Sequence, residues 1–435
     1  MRIGIDCRTI LNPGAGEQAG VGHYTYYLVK TLLAIDRANT YVLFFDSRFK
    51  KAKEFAAGNV EIKFFPFFQY KKYLPVFYSQ MLVSAVLERE KLDLFHSPAN
   101  VLPLFYRKPA VITIHDLAIY KYPRFFPQKF LNRQTLSTKV LVPRSLERAA
   151  KIIAVSKNTK TDIIEEFGIA EERIEVIYEG VINQDNERLN QIDFEKIKNK
   201  FGIKDKYLLF LGTIEPRKNI IGLIKAFRDL SLTYDSPAKD YQLIIAGAHG
   251  WKVKPVYEAI ANANASIMGE QKHLRNGRER RSGLDLRGEA RIKKEGERRQ
   301  GRERRRGMPI KHIGYVSRLE KIMLLRHATC FVFPSLYEGF GLPVLEAMDL
   351  GTPVITSNLS SLPEIAGEKG ALMVNPNKES ELIDALQQIL TDVGLREVLS
   401  VSGKNQAKEF TWKKCAEKTL AVYQSVIDKA VHKTI

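Results

Sequence analysis

Cysteine is scarce in this chain of 435 residues, which contains three. Cys7, Cys330 and Cys415 lie far apart, with no closely spaced pair to hold a metal and no spacing typical of a disulfide framework. Long apolar runs are also missing: no stretch approaches the roughly 18 consecutive apolar residues of a membrane span, and the N-terminus lacks a signal-peptide pattern. We therefore expect a cytoplasmic protein, either soluble or in peripheral contact with the inner face of the cytoplasmic membrane.

Acidic residues are outnumbered, and the formal net charge is +19. Residues 270–307 hold fifteen Lys or Arg against seven Asp or Glu, contain no aromatic residue and repeat the sequence GRERR. This composition cannot bury enough apolar surface to offset the entropy lost on ordering, which predicts a disordered or loosely helical insertion. Because the segment offers no stacking platform, no specific nucleic acid is expected as a partner. A nucleic-acid-binding arm on an inactive scaffold is the alternative interpretation.

Short apolar runs of strand length alternate with amphipathic stretches along the rest of the chain. Near-continuous apolar runs are typical of parallel strands buried on both faces, and the stretches between them, such as residues 24–35 and 219–230, have helical spacing. The pattern predicts an α/β protein with two Rossmann-like doubly wound domains, residues 1–190 and 200–410, facing each other across a cleft. The runs are residues 2–6, 41–45, 61–65, 93–96, 110–116, 151–156 and 173–178, then 206–212, 241–247, 310–316, 330–335, 353–357 and 371–374.

Glycines and polar residues follow several of these runs. The loop after the first run, LNPGAGEQAGVGHY, includes Gly20 and Gly22 just before a helix, where backbone N–H groups can approach an anion. The fifth run ends at His115 and Asp116. A glycine-rich turn can be only a turn, and a histidine at a strand end can be structural. Both positions are therefore candidates for a ligand site without defining one.

GTIEPRKN, residues 212–219, places two cations just before a predicted helix. The guanidinium of Arg217 is a planar fork and the ammonium of Lys218 is a point charge, a combination that suits a diphosphate. The alternative for such a pair is a solvated turn. The sequence thus makes this turn a candidate diphosphate clamp.

EGFGLPVLEAMDLGTPV, which begins at residue 338, sets two glutamates on either side of a glycine-rich turn. Glu338 follows an apolar run, and Glu346 lies one turn into a predicted helix. Two carboxylates could form a hydrolase acid–base pair. Beside backbone amides and the candidate clamp, they could instead accept hydrogen bonds from sugar and ribose hydroxyls, which implies a nucleotide sugar as ligand. The sequence shows no acidic pair at a strand end that would bind magnesium or manganese.

These motifs together resemble the GT-B glycosyltransferases of the family 4 type, also called glycosyl transferases group 1. Residues 338–346 resemble the donor-site motif of that family, in which seven residues separate two glutamates. Residues 215–219 resemble its diphosphate turn, residues 20–24 its N-terminal glycine loop, and the TIHD that contains His115 its acceptor-side motif. The similarity spans nearly the whole chain, and residues 411–430 resemble the terminal helix that crosses back to the first domain. The insertion at 270–307 is a departure from the family pattern.

The resemblance implies retaining transfer of a hexosyl group, with mannosyl as first expectation, from a nucleoside diphosphate sugar without a cofactor or metal. The acceptor would be a saccharide or lipid-linked saccharide in surface polysaccharide or lipopolysaccharide biosynthesis. It implies catalytic roles for His115, Arg217, Lys218 and Glu338, donor binding by Gly20, Gly22, Arg217, Lys218, Glu338, Gly339, Phe340, Gly341, Leu342 and Glu346, and an acceptor-side role for Asp116.

Two stretches of the first half, residues 63–78 and 119–130, combine aromatic and basic side chains. Aromatic rings suit a membrane interface and lysines suit anionic head groups, so we hypothesise docking on an anionic membrane to reach a lipid-linked acceptor. Ordinary packing of core and loops is the alternative explanation for both stretches, and a soluble sugar acceptor is not excluded.

Overall fold

A computed structural model of the chain describes residues 1–10, 20–49, 51–65, 76–128, 137–182, 193–282 and 307–432. The chain divides into two compact units. Met1–Ile182, Glu338–Phe340 and Glu409–Ile435 form the first unit, and Asn183–Tyr337 with Gly341–Lys408 the second. Most of the basic insertion (283–306) and parts of the two aromatic–basic stretches (66–75 and 129–130) lie outside the described residues.

Each unit contains one parallel β-sheet, and every apolar run singled out in the sequence overlaps one strand of these sheets. The first sheet has the order β3-β2-β1-β4-β5-β6-β7 and the second the order β10-β9-β8-β11-β12-β13. Both follow the Rossmann order 3-2-1-4-5-6, with one strand added in the first. The strands are β1 Arg2–Asp6, β2 Thr40–Asp46, β3 Val60–Phe65, β4 Leu94–Ser97, β5 Ala110–Ile114, β6 Lys151–Ala154, β7 Ile174–Val176, β8 Tyr207–Leu211, β9 Gln242–Ala246, β10 Ile310–Gly314, β11 Cys330–Phe333, β12 Val354–Ser357 and β13 Leu372–Val374.

Helices connect the strands, as parallel neighbours require. Short single turns occur at Ala52–Phe55, Pro123–Phe125, Ser137–Leu141, Glu171–Arg173, Pro216–Lys218 and Pro237–Asp240. The α-helices of the described ranges are α1 Val21–Ile35, α2 Val76–Arg89, α3 Ala118–Lys121, α4 Val142–Arg148, α5 Lys157–Phe167, α6 Phe194–Phe201, α7 Ile220–Leu232, α8 Lys254–Ser282, α9 Arg318–His327, α10 Leu342–Asp349, α11 Leu362–Ala366, α12 Glu379–Thr391, α13 Val393–Ala407 and α14 Trp412–His432.

Local sequence signals explain where several helices begin and end. Ser156 caps α5 by accepting from the Thr159 amide, and Gly168 ends that helix with a positive φ of 63°. Helix α9 begins with a capping box in which Ser317 and Glu320 bind each other's backbone amides. These caps fix the helix starts that face the carboxyl ends of the strands, where the candidate site residues lie.

The last helix, α14, belongs to the first unit and packs on α1 in its core. Val422, Tyr423 and Val426 of α14 are buried in the same apolar cluster as Leu28 and Leu32 of α1. No helix among the described residues is both long and apolar enough to span a membrane.

Candidate active site

The candidate diphosphate clamp lies in the second unit, directly after β8. Pro216–Lys218 form a single helical turn that precedes α7. The Arg217 guanidinium donates to Oε1 of the buried Glu215 at 2.8 and 3.1 Å, and to the Tyr337 carbonyl oxygen at 3.2 Å. Its side chain is 16% exposed. The guanidinium is therefore held in one orientation by the residue that precedes its turn and by the residue that precedes Glu338.

Lys218 is buried to 7% exposure although it is a lysine. Its Nζ lies 4.8 Å from the ring centroid of Phe333 at the end of β11. A cation over an aromatic face is attracted by the negative ring surface, which compensates part of the lost hydration. Asn219 then takes a left-handed conformation, with φ 52°, and α7 starts at the next residue. The turn thus presents two cations at the carboxyl ends of β8 and β11, which are neighbours in the sheet.

Glu338 and Glu346 lie where the sequence predicted, in the loop after β11 and in the second turn of α10. Gly341 caps α10 with a φ of 116°, and a Cβ there would lie 2.8 Å from Leu362. Glu338 is buried. Oε1 of Glu346 accepts a hydrogen bond from Nζ of Lys321 at 2.5 Å. Sequence reasoning did not single out Lys321, because it lies in a different helix and outside every motif.

The segment Glu338–Phe340 groups with the first unit rather than the second. The Gly339 carbonyl accepts from the Ser156 hydroxyl at 2.7 Å and the Thr159 hydroxyl at 3.2 Å, both at the start of α5. A Cβ on residue 339 would lie 1.7 Å from the backbone oxygen of His115. Only glycine therefore allows the donor-site motif to lie directly against the backbone of the predicted acceptor-side motif.

Phe340 completes this contact with aromatic packing inside the first unit. Its ring centroid lies 6.1 Å from that of Tyr178 and 6.0 Å from that of Phe410. The next residue in the chain, Gly341, already belongs to the second unit. Leu342, another of the predicted donor-binding residues, is the first residue of α10.

His115 directly follows β5, and both of its ring nitrogens face oxygen atoms. Nε2 lies 2.9 Å from the Pro98 carbonyl oxygen, and Nδ1 lies 3.4 Å from Oε1 of Glu179. The ring meets Tyr24 edge-on, with centroids 4.7 Å apart. Glu179 is buried, and its Oε2 has no hydrogen-bond partner among the described residues. The carboxylate beside His115 was missed because it lies 64 residues away in the chain, in a loop with no recognisable motif.

Asp116 and the glycine loop have simpler surroundings. Oδ1 of Asp116 accepts from the Ala118 amide at 3.1 Å and so supports the start of α3. Gly20 caps α1 with a φ of 72°, and Gly22 lies in the first turn of that helix. A helix start that exposes backbone amides favours an anion. The earlier glycines of this loop, at 14 and 16, lie outside the described residues.

Beneath His115 a buried hydrogen-bond network joins α14 to the sheet. Tyr423 Oη lies 2.6 Å from Nδ1 of His96, and Nε2 of His96 lies 2.9 Å from Oγ1 of Thr113. Thr113 also lies 3.2 Å from Oη of Tyr24. Burial and the nearby charge of His115 lower the pKa of His96 to about 3, so His96 is neutral at neutral pH. Within the described ranges, no cluster of three His, Cys, Asp or Glu side chains could hold a metal ion.

Solved structures share this architecture over the whole chain. Sucrose-phosphate synthase from Thermosynechococcus elongatus superposes with a TM-score of 0.66 at 18% identity, covering 98% of this chain and 99% of that one. HepE from Anabaena, solved with UDP and glucose, gives 0.62 at 17% identity, with 98% and 100% coverage. The expectation of a GT-B fold built from two doubly wound sheets is therefore confirmed.

Family comparisons agree with the fold. Residues 293–406 match the family described as glycosyl transferases group 1, and residues 19–184 match glycosyltransferase family 4. The O-antigen chain mannosyltransferase B of Escherichia coli is 30% identical over 76% of this chain and 74% of its own length. The mannosyltransferase WbdA of the same species is 29% identical over 61% of this chain, which spans 28% of that longer protein. The chain belongs to this family of nucleotide-sugar-dependent glycosyltransferases, and the prediction of an enzyme is confirmed.

Proposed function

We propose that this glycosyltransferase transfers a mannosyl group, with retention of configuration, from GDP-mannose to a saccharide or lipid-linked saccharide of a bacterial surface polysaccharide or lipopolysaccharide. The names of the O-antigen mannosyltransferases among its relatives support the sugar and the polymer. HepE, which has been solved with UDP-glucose, keeps a UDP-linked hexose as the second candidate donor. The observation that carries the proposal is the fixed orientation of the Arg217 guanidinium. It donates to Glu215 and to the carbonyl oxygen of Tyr337, which directly precedes Glu338 in the sequence.

In this proposal Arg217 and Lys218 stabilise the diphosphate leaving group. Negative charge grows on the diphosphate as the glycosidic bond breaks, and preorganised cations stabilise developing charge without reorganisation at that moment. Arg217 is already oriented by two acceptors and Lys218 is largely removed from water, so neither has to be ordered when the donor binds. Transfer is proposed to need no metal ion, because these two cations take the place that a divalent ion would have at the diphosphate.

The two glutamates are proposed to hold the donor at its two ends. Glu338 accepts hydrogen bonds from sugar hydroxyls, Glu346 accepts them from the ribose, and the backbone amides of residues 339–342 bind the diphosphate. His115 and its backbone oxygen lie under the transferred sugar and stabilise its positive charge in the transition state. The helix start at Gly20 and Gly22 contributes amides to the phosphate and acceptor, and Asp116 lies on the acceptor side.

The test begins with ligand binding, followed by transfer. Thermal unfolding of the purified chain is measured with GDP, UDP, ADP, dTDP and a random RNA oligomer. A ligand at a hundred times its dissociation constant adds about 2.7 kcal/mol of stability. We expect one nucleoside diphosphate to raise the melting temperature and Arg217→Ala to remove the shift. If no nucleotide changes the melting temperature but the RNA oligomer binds, the result instead favours the nucleic-acid-binding alternative.

Transfer itself is tested with GDP-mannose and UDP-hexoses on saccharide and lipid-linked acceptors. The proton spectrum of the early product reports the anomeric configuration, so an inverted product contradicts retention. Activity that survives EDTA supports transfer without a metal. Activity that EDTA abolishes and magnesium or manganese restores contradicts that part of the proposal.

We further propose that the aromatic–basic stretches, residues 63–78 and 119–130, dock on an anionic membrane together with α2, which continues the first of them, and the loop after β4. Met81 and Leu82 of α2 and Phe105 of the loop are 45, 36 and 41% exposed. Oγ of Ser84 accepts from the Phe105 amide at 3.2 Å, so the loop lies against the helix. Exposed apolar side chains suit the interfacial region of a bilayer. We expect sedimentation with anionic liposomes at low salt and weaker sedimentation of Met81→Ser. Met268→Ser, which changes a methionine of α8 that is 40% exposed, is the control.

A further inference from the structure

Lys321 is a basic residue outside the recognised motifs that contacts one of the two motif glutamates. Its Nζ lies 2.5 Å from Oε1 of Glu346, and the two side chains are only 15 and 18% exposed. We propose that Lys321 is a specificity-determining residue that makes the site select a ribonucleotide over a deoxyribonucleotide. This inference rests on the proposed role of Glu346 in binding ribose.

Both helices that carry the pair are firmly anchored. Helix α9 begins with the capping box of Ser317 and Glu320 and buries four consecutive residues, Ile322, Met323, Leu324 and Leu325. Helix α10 buries Val344, Leu345, Ala347 and Met348 on its inner side. Because the two backbones are fixed, the ammonium and the carboxylate meet without ordering a loop. Glu346 is therefore held in one position before any ligand arrives.

The hydrogen-bonding capacity of the pair matches that of a hydroxyl group. A carboxylate only accepts, an ammonium has three donors and no acceptor, and a hydroxyl both donates and accepts. Lys321 uses one N–H on Glu346 Oε1, and no hydrogen bond from a described residue reaches Oε2. A ribose hydroxyl can donate to Glu346 and accept from Lys321 at the same time. A hydrogen atom in its place would leave a poorly hydrated ion pair with unsatisfied groups, the condition under which such sites discriminate strongly.

The charge of Lys321 has a second effect on an anionic ligand. Glu346 is followed one turn later by Asp349, whose pKa is raised by burial and by the charge of Glu346, while Lys404 opposes the rise. Without Lys321, the carboxylate of Glu346 would face the nucleotide uncompensated and repel its phosphates. Lys321 thus lets a carboxylate that reads hydroxyls lie close to a diphosphate.

The test compares ribonucleotide and deoxyribonucleotide binding on the full chain. Dissociation constants are measured by calorimetry for GDP, 2′-deoxy-GDP and 3′-deoxy-GDP, or for the UDP series if UDP binds better. For the unsubstituted protein we expect at least one deoxynucleotide to bind about tenfold or more weakly, as loss of a hydrogen bond to a charged group predicts. In Lys321→Met this ratio should fall to about threefold or less, and GDP itself should bind more weakly. Lys321→Arg keeps the charge and should retain part of the ratio.

Lys378→Met is the matched control, because Lys378 forms an ion pair with Glu381 on the surface of the same unit. Its Nζ lies 3.1 Å from Oε1 of Glu381, and its side chain is 63% exposed. This substitution should leave every constant unchanged. A Lys321→Met protein that melts like the unsubstituted chain but keeps the full ratio overturns the inference. If Glu346→Gln abolishes the difference between ribonucleotide and deoxyribonucleotide affinity while Lys321→Met preserves it, Glu346 recognises the ribose without Lys321. In that case only this inference fails. If no nucleoside diphosphate binds the unsubstituted chain, the proposed function fails with it.

Discussion

Nδ1 of His115 lies 3.4 Å from Oε1 of Glu179, while Nε2 of the same ring faces the Pro98 carbonyl oxygen. Both ring nitrogens are thus engaged inside the first unit, and the side chain is fixed from two directions. A carbonyl oxygen and a carboxylate oxygen both accept hydrogen bonds, so the ring faces an acceptor on each side. The orientation of the ring therefore depends on Glu179. The position of the His115 backbone, which has a proposed role under the transferred sugar, depends on Glu179 as well.

Replacement of Glu179 should therefore act on turnover through His115. We expect Glu179→Ala to lower kcat tenfold or more, which corresponds to a loss of at least about 1.4 kcal/mol in transition-state stabilisation. Glu179→Gln should restore most of the rate, since its amide still reaches Nδ1. Steady-state kinetics would measure both, with the donor KM expected to change little. Equal turnover of Glu179→Ala and the unsubstituted enzyme would contradict a positioning role.

Loss of the buried cation of the clamp should reduce transfer far more than loss of an exposed one. Lys218→Ala should lower the transfer rate about tenfold or more, because a cation preorganised at the leaving group stabilises the transition state. Lys225→Ala, an exposed residue of α7 in the same unit, is the control and should keep the rate. Both rates are measured on protein whose folding has been checked by circular dichroism. Near-normal turnover of a folded Lys218→Ala protein would argue against the clamp.

A methyl group at residue 339 should push the donor-site motif off the backbone of His115. The added Cβ would lie 1.7 Å from that oxygen, far inside contact distance, so the backbone has to move. We expect Gly339→Ala to lower turnover about a hundredfold, since misplacement by one ångström can have that effect. Gly269→Ala has free space around it and lies in a helix, so it should be neutral or slightly stabilising. Full activity of Gly339→Ala would show that the approach of the two backbones is dispensable.

Acid should destabilise the first unit through His96. Its pKa in the folded chain is about 3, against 6.5 for an ordinary histidine, because burial disfavours the charged ring. The unfolded chain takes up this proton below 6.5 and the folded chain does not, so stability falls as the pH drops from 6.5 towards 3. Lowering the pH from 7.5 to 5 should remove about 2 kcal/mol of unfolding free energy through this residue alone.

Denaturant unfolding at the two pH values measures this effect. His96→Gln should show a smaller difference between pH 7.5 and pH 5 than the unsubstituted chain, whatever its absolute stability. His249→Gln, at an exposed position of the second unit, should keep the full difference. An unchanged pH dependence in His96→Gln would mean that the buried ring does not control acid stability.

The strands and the site elements were predictable because they depend on local pattern. A strand buried on both faces must be apolar throughout, so runs such as residues 206–212 identify themselves. Glu338, Glu346 and Arg217 were found because their spacing along the chain is set by one loop or turn. The partners Glu179 and Lys321 were not found. They come from loops and helices distant in the chain, and no periodicity reports which side chains meet across a fold.

The two-unit division also could not be read in full. Polar residues between the strand series marked the passage from one sheet to the next, as composition allows. That Glu338–Phe340 would group with the first unit depends on the hydroxyls of Ser156 and Thr159 and on the absence of a side chain at Gly339. Each of these features concerns a contact between residues that are distant in the sequence, which an average over a sequence window does not detect.

Helix α14 has a consequence for how the chain folds during synthesis. The apolar face of α1, with Leu28 and Leu32, is covered by residues of α14 that leave the ribosome only after the whole second unit has been made. At about 5 to 20 residues per second, this interval lasts on the order of tens of seconds. The apolar face of α1 in the nascent first unit therefore stays uncovered during this interval, and a chaperone can bind it then. The second unit, which is continuous apart from three residues, can fold in the meantime.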